Sequence, residues 1–154
     1  MKKIFIVLCL SILLLTGCDK DYSNEKDIYL KYIKELKTVK ETSDILPFDI
    51  EVKYDKLTNN EIRYQVIIDN VKEDLFDVEM ISIHNKETND VFPSIGIFDK
   101  KEDLKVNKKP SGLILVGYID YDKKIEDFKC NMKVMIKYKT SDKKIHKVYY
   151  VTKK

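Results

Sequence analysis

The side chains able to do covalent or metal chemistry are few: Cys9, Cys18, Cys130, His84 and His146. A zinc site needs three or four ligands, and neither histidine has another histidine or a cysteine at ligand spacing. A Cys130–His146 pair would be a thiol nucleophile with an imidazole base. Cys130, however, stands in the alternation Phe128-Cys130-Met132-Val134-Ile136-Tyr138, whose intervening positions are mostly lysine, so the thiol reads as core. Ser82, Ser94 and Ser111 lack the flanking glycines of a nucleophile elbow, and Gly96, Gly112 and Gly117 are too scattered to cradle a phosphate. Carboxylates gather at Asp120, Asp122, Glu126 and Asp127, and again at Asp99, Glu102 and Asp103. Calcium wants six to eight oxygens, the EF-hand ligand order is missing, and Lys123 and Lys124 intrude on the first group. No catalytic residue, no metal site and no cofactor are expected, and the chain does not read as an enzyme.

The elements that position these residues fall into two periods. From Asn24 to about Lys40, Ile28, Tyr29, Tyr32, Ile33, Leu36 and Val39 recur every three or four positions, opposite Lys31, Lys34 and Lys37. This spacing predicts an amphipathic helix within 24–42, with Ser23 or Asn24 as N-cap. Pro47 then favours extended backbone, and the period becomes two. Phe48, Ile50, Val52 and Tyr54 turn through Asn59-Asn60 into Ile62, Tyr64, Val66 and Ile68. Further strands are expected at Phe76–His84, Val91–Phe98, Leu113–Tyr121, Phe128–Tyr138 and Ile145–Thr152, with a lysine-rich loop from Asp99 to Ser111. Seven short strands without an intervening helix predict a mainly β domain over 45–154. Their number and size resemble the antiparallel sandwich of immunoglobulin-like domains, without that family's inter-sheet disulfide or buried tryptophan.

Val91-Phe92-Pro93-Ser94-Ile95-Gly96-Ile97-Phe98 is the least ordinary stretch, because both sides of an expected edge strand carry bulky apolar groups. Either both sides are buried, or Phe92, Ile95, Ile97 and Phe98 offer an interface to a partner. Lys129, Lys133, Lys137 and Lys139 share one side of the most regular strand and read as a wet outer face that also protects the edge. An alternative use is salt-sensitive contact with lipid headgroups or anionic polymers.

The N-terminal segment is the most specific. Lys2 and Lys3 precede an apolar run from Ile4 to Leu15, which as a helix spans roughly 18 Å against the ~30 Å of a hydrocarbon layer. The run is too short for a transmembrane helix and has the order of a secretory signal. Its end, Leu15-Thr16-Gly17-Cys18, resembles the lipobox of bacterial lipoproteins. The resemblance implies cleavage between Gly17 and Cys18, removing residues 1–17, and a diacylglyceryl thioether on Cys18 at the new N-terminus. Residues 18–23 then form a lipidated spacer. Arg63 is the only arginine, alanine and tryptophan are absent, and lysine, isoleucine and asparagine abound. That skew points to an AT-rich genome and a low-GC Gram-positive source.

Charge excludes one large class of partner. The chain has 29 basic and 26 acidic residues, and loss of Lys2 and Lys3 with the leader brings the signs close to balance, so nucleic acid is not expected. The expected protein is attached to the cell membrane through Cys18 and faces outward, as a binding or accessory module for a protein partner at the cell envelope. A small solute- or metal-binding lipoprotein and an envelope hydrolase are the alternatives.

Overall fold

Alternation of apolar and polar residues builds two antiparallel sheets, and continuous burial along one strand tells which of them is covered twice. The computed structural model describes residues 22–88, 90–109 and 112–152. The leader, Gly17 and Cys18 lie outside the described residues. The chain runs through α1 (Ser23–Thr38), β1 (Asp49–Thr58), β2 (Glu61–Asp69), β3 (Leu75–His84), β4 (Ser94–Ile95), β5 (Glu102–Leu104), β6 (Leu113–Asp120), β7 (Met132–Lys139) and β8 (Ile145–Val151). The fold is mainly β, with one α-helix, a single 3-10 turn (Ile125–Asp127) and eight strands among the described residues.

β1, β2 and β6 form one sheet in the order β1-β2-β6; the other runs β4-β3-β7-β8, with β5 also paired to β3. Tyr64, Val66 and Ile68 of the first sheet meet Val78, Met80, Val134, Ile136 and Val148 of the second, closing a sandwich core. Each such side chain contributes about 1.5–3 kcal/mol when fully buried.

The second sheet is covered on its other side by α1. Tyr29, Tyr32 and Leu36 pack on Ile81, Ile83, Ile97 and Met135 in a second apolar layer. β3 is therefore buried at every position from Val78 to His84, the signature of a strand wet on neither side. Here the lysine stripe departs from expectation. Lys133 and Lys137 lie beneath the helix, donating to the Lys37 carbonyl and to Tyr32 and Glu79. The aliphatic stems of these lysines pack while their heads find acceptors.

Element boundaries also shift. The helix is Ser23–Thr38 rather than 24–42: Tyr22 occupies the N-cap without a side-chain bond, and Val39 is already extended. Thr42 and Ser43 instead bond along the outer side of β8 at Val151 and Tyr149. The expected strand at Val91–Phe98 is reduced to Ser94–Ile95, because Pro93 lacks an N–H and Gly96 has φ of +72°. The eighth strand, β5, lies in the lysine-rich segment read as loop.

A bulge in β3 reconciles two registers. The pairing with β7 slips between Phe76 and Glu79, and Asp77 takes φ of +51°. Leu75 and Val78 consequently both face the core, though three positions apart. The Asp77 N–H donates to Asp103 Oδ1 and Lys139 Nζ donates to Asp77 Oδ2, which holds the bulge from both sides.

Candidate docking surface

The segment read as an interface splits into an outer and an inner half. Ile97 is 7% exposed and belongs to the layer under α1. It is not available to a partner, which corrects the expectation for that residue. Ile95 pairs with Met80 and packs on the sandwich core. Phe92 is half-buried: its carbonyl accepts from Tyr29 Oη at 2.9 Å, and its ring meets His84 edge-on at 5.1 Å. Phe98 is exposed and tilts against Tyr29 at 5.3 Å. Val91, at 76% exposure, is the outermost apolar side chain of the segment.

Sequence reasoning missed what lies beside Val91. β6 turns Leu115, Gly117 and Ile119 inward and leaves Ile114, Val116 and Tyr118 outward, at 54%, 37% and 45% exposure. In the register with β2, Ile114 sits opposite Ile67. A shallow groove of about 120 Å³ runs between Val91-Phe92-Pro93 and Val116-Gly117-Tyr118. That is below the ~300 Å³ of typical small-molecule sites, and it suits side chains of a partner better than a solute. The signal was present in the sequence, because Leu113–Ile119 has apolar residues on both faces of a strand in a two-sheet domain.

The titratable residues disperse. His146 stacks on Tyr138 at 5.4 Å, at the opposite end of β7 from Cys130. The eight positions from Cys130 to Tyr138 span roughly 26 Å of extended chain, so no thiol–imidazole couple forms. Burial pushes the Cys130 thiol up, and the Tyr54 hydroxyl bonds to it. His84 is driven toward its neutral form, first by burial and then by the Lys86 charge, against a backbone hydrogen bond at Lys86. Among the described residues no three His, Cys, Asp or Glu side chains are grouped to hold a metal ion. A wider cleft of about 530 Å³ opens between Phe76, Asp77, Lys139 and the Thr140–Lys143 turn. Two of its charges are matched to each other, Asp77 to Lys139, and Lys105 lies over the Phe76 ring.

The densest polar group joins helix to sheet. Glu79, 5% exposed at its side chain, receives Lys101 at 2.6 Å and Lys137 at 3.1 Å, with Tyr32 Oη at 2.7 Å. Burial raises its carboxyl, but these three donors outweigh it and hold the group below the ordinary carboxylate range. Glu35 repeats the device with Lys147 and the Tyr149 hydroxyl. Both carboxylates are fully engaged in docking α1, leaving the outward β6–Val91 surface as the candidate for contact with another molecule. No family model matches this chain, and searches of curated proteins and of solved structures return no significant match.

Proposed function

We propose that this chain is a lipoprotein, held at the outer face of the cell membrane by a diacylglyceryl thioether on Cys18, whose sandwich is a binding or accessory module for a protein partner at the envelope. The observation that carries the reading is Leu15-Thr16-Gly17-Cys18 set directly after the basic start and the apolar run Ile4–Leu15. Two acyl chains anchor stably where one does not. The docked helix supports a close tether: α1 begins at Ser23 and packs on the sandwich, so it is not a free stalk. The spacer from Cys18 reaches at most about 17 Å, which keeps the domain beside the headgroups. The exposed Val91 and β6 face supports the docking half of the reading. No helix among the described residues is long and apolar enough to cross a membrane.

Membrane fractionation with mass spectrometry of the mature N-terminus tests the anchor. The wild-type chain should partition with membranes and carry a lipidated Cys18, and Cys18→Ala should be released or remain an uncleaved precursor. An unmodified sulfur at the mature terminus, or a Cys18→Ala chain that stays processed and membrane-bound, would overturn the anchor.

A further inference from the structure

His84, the last residue of β3, is 9% exposed, and its Nδ1 is buried with no hydrogen-bond partner among the described residues. Two rings enclose the imidazole, Tyr64 edge-on at 5.7 Å and Phe92 edge-on at 5.1 Å. The Tyr64 side is fixed. Tyr64 is fully buried, its strand β2 is paired on both sides, and its hydroxyl lies 3.4 Å from Ser82 Oγ. The Phe92 side is held by less. Residues 90–93 precede the two-residue β4, Pro93 has no N–H to give, and Val91 points into solvent. Hydrogen bonds tie this stretch to the body at two carbonyls: Phe92 accepts from Tyr29 Oη at 2.9 Å, and Pro93 from the Ser82 N–H at 3.4 Å. A short, sparsely bonded segment of this kind opens at lower cost than the sheets behind it.

We propose that His84 is an acid-operated latch on residues 90–93: its protonation lifts Phe92 off the imidazole and widens the groove against Val116-Gly117-Tyr118, while both sheets stay folded. An imidazolium carries a proton on each nitrogen, and in the closed arrangement the Nδ1–H has no acceptor. Displacing Phe92 gives that proton water, whereas displacing Tyr64 would break the middle strand of a sheet. The titratable and charged groups around the ring come from five directions. Tyr64 belongs to β2, Tyr118 to β6, Asp90 to the latched segment and Lys86 to the turn after β3, and Lys37 of α1 with Lys133 of β7 line the cavity toward the helix. Asp90 is the one carboxylate among them, and it is not one of the groups that act on the ring. Burial disfavours the charged ring most; a backbone hydrogen bond at Lys86 works against that, and the Lys86 ammonium reinforces it. The opened ring takes its proton near the ordinary 6.5 and the closed ring resists, so the opening constant should rise up to tenfold per pH unit below 6.5. The latch does not depend on lipid at Cys18.

Hydrogen exchange of the full chain in detergent micelles, corrected for intrinsic rates and followed from about pH 7.5 to about pH 5, tests it on the wild type, His84→Phe and Phe92→Ala. In the wild type the Ser82 amide, which donates to Pro93, should lose protection by up to tenfold per pH unit below 6.5. Its exchange should ignore low concentrations of urea, whereas Val134 and Ile136 of β7 should exchange faster as urea is added, because global unfolding is what exposes them. His84→Phe should remove the pH dependence at Ser82. Phe92→Ala, which wets the ring without touching either sheet, should lower Ser82 protection already at neutral pH and leave little further response to acid. A Ser82 amide indifferent to pH in the wild type overturns the latch, as does an unchanged pH response in His84→Phe. Ser82 exchange that rises with urea as steeply as that of Val134 and Ile136 reports global unfolding and overturns it equally. So does a Phe92→Ala chain as protected and as acid-sensitive as the wild type.

Discussion

The Tyr32 hydroxyl donates to Glu79 Oε2 at 2.7 Å, tying α1 to β3 across 47 positions of sequence. Lys137 completes the junction, bonding both partners and lying 5.6 Å from the Tyr32 ring centroid. The helix is thus held by an apolar layer and a nearly dry polar latch together.

Removing the latch should loosen the helix. Tyr32→Phe keeps the ring packing but deletes a hydrogen bond to a charged group, at a cost of roughly 1.5–3 kcal/mol. Urea unfolding should show a lower midpoint with a similar slope. Trypsin should cut sooner at Lys31 and Lys34, which lie on the exposed side of α1.

Acid should weaken the fold in two stages. His84 is held below its ordinary value of 6.5 in the folded state. As pH falls through 6.5 the unfolded chain takes up this proton and the folded chain resists, so stability drops from there downward. Glu79 and Glu35 are also depressed; their contribution is complete above the unfolded carboxylate value and is lost as pH falls through the folded ones. His84→Phe should flatten the slope of thermal midpoint against pH below 6.5, and Glu79→Gln should flatten it below 4.5.

Two glycines should resist the smallest substitution. A Cβ on Gly117 would lie 2.3 Å from the buried Tyr64 ring, which stands opposite it in the β2–β6 register. One on Gly96 would lie 2.4 Å from the Val78 carbonyl, at a φ that L side chains rarely adopt. Gly117→Ala and Gly96→Ala should each cost about 1–3 kcal/mol, visible as a lower melting temperature.

Neighbouring apolar residues of one segment should respond oppositely. Ile97→Ala opens a cavity between α1 and β3 and should cost about 2–5 kcal/mol. Val91→Ala removes an outward side chain and should change stability by less than about 0.5 kcal/mol. Equal losses at both positions in chemical denaturation would show that Val91 is not the surface residue described.

Much of this was legible in the residues themselves. Tyr64, Val66 and Ile68 alternate with polar neighbours, so their strand and its inward face follow from a two-residue period. The inward place of Cys130 follows likewise, from the alternation that continues into β7. A hint of the cover on β3 was also present, in the apolar-rich stretch Val78–Ile83, which departs from strict alternation and is interrupted by Glu79 and Ser82, but such a stretch does not say what covers it. The position of α1 was undecided by its own pattern: an amphipathic stripe fits a sandwich face, a bilayer or a partner equally, since each offers an apolar surface.

Sequence alone carried the basic start, the apolar run and the lipobox-like quartet Leu15-Thr16-Gly17-Cys18, the helix followed by strands, and the lack of a ligand cluster at short spacing. These are local properties, written in composition and period. Tertiary structure decided that Lys133 and Lys137 of β7 are half-buried against a helix, that Ile97 is core while Val91 is surface, and that β6 stands at the end of its sheet among the described residues. Each of those depends on which distant element arrives alongside, and pairings such as Tyr32 with Glu79 leave no trace in the spacing of either residue.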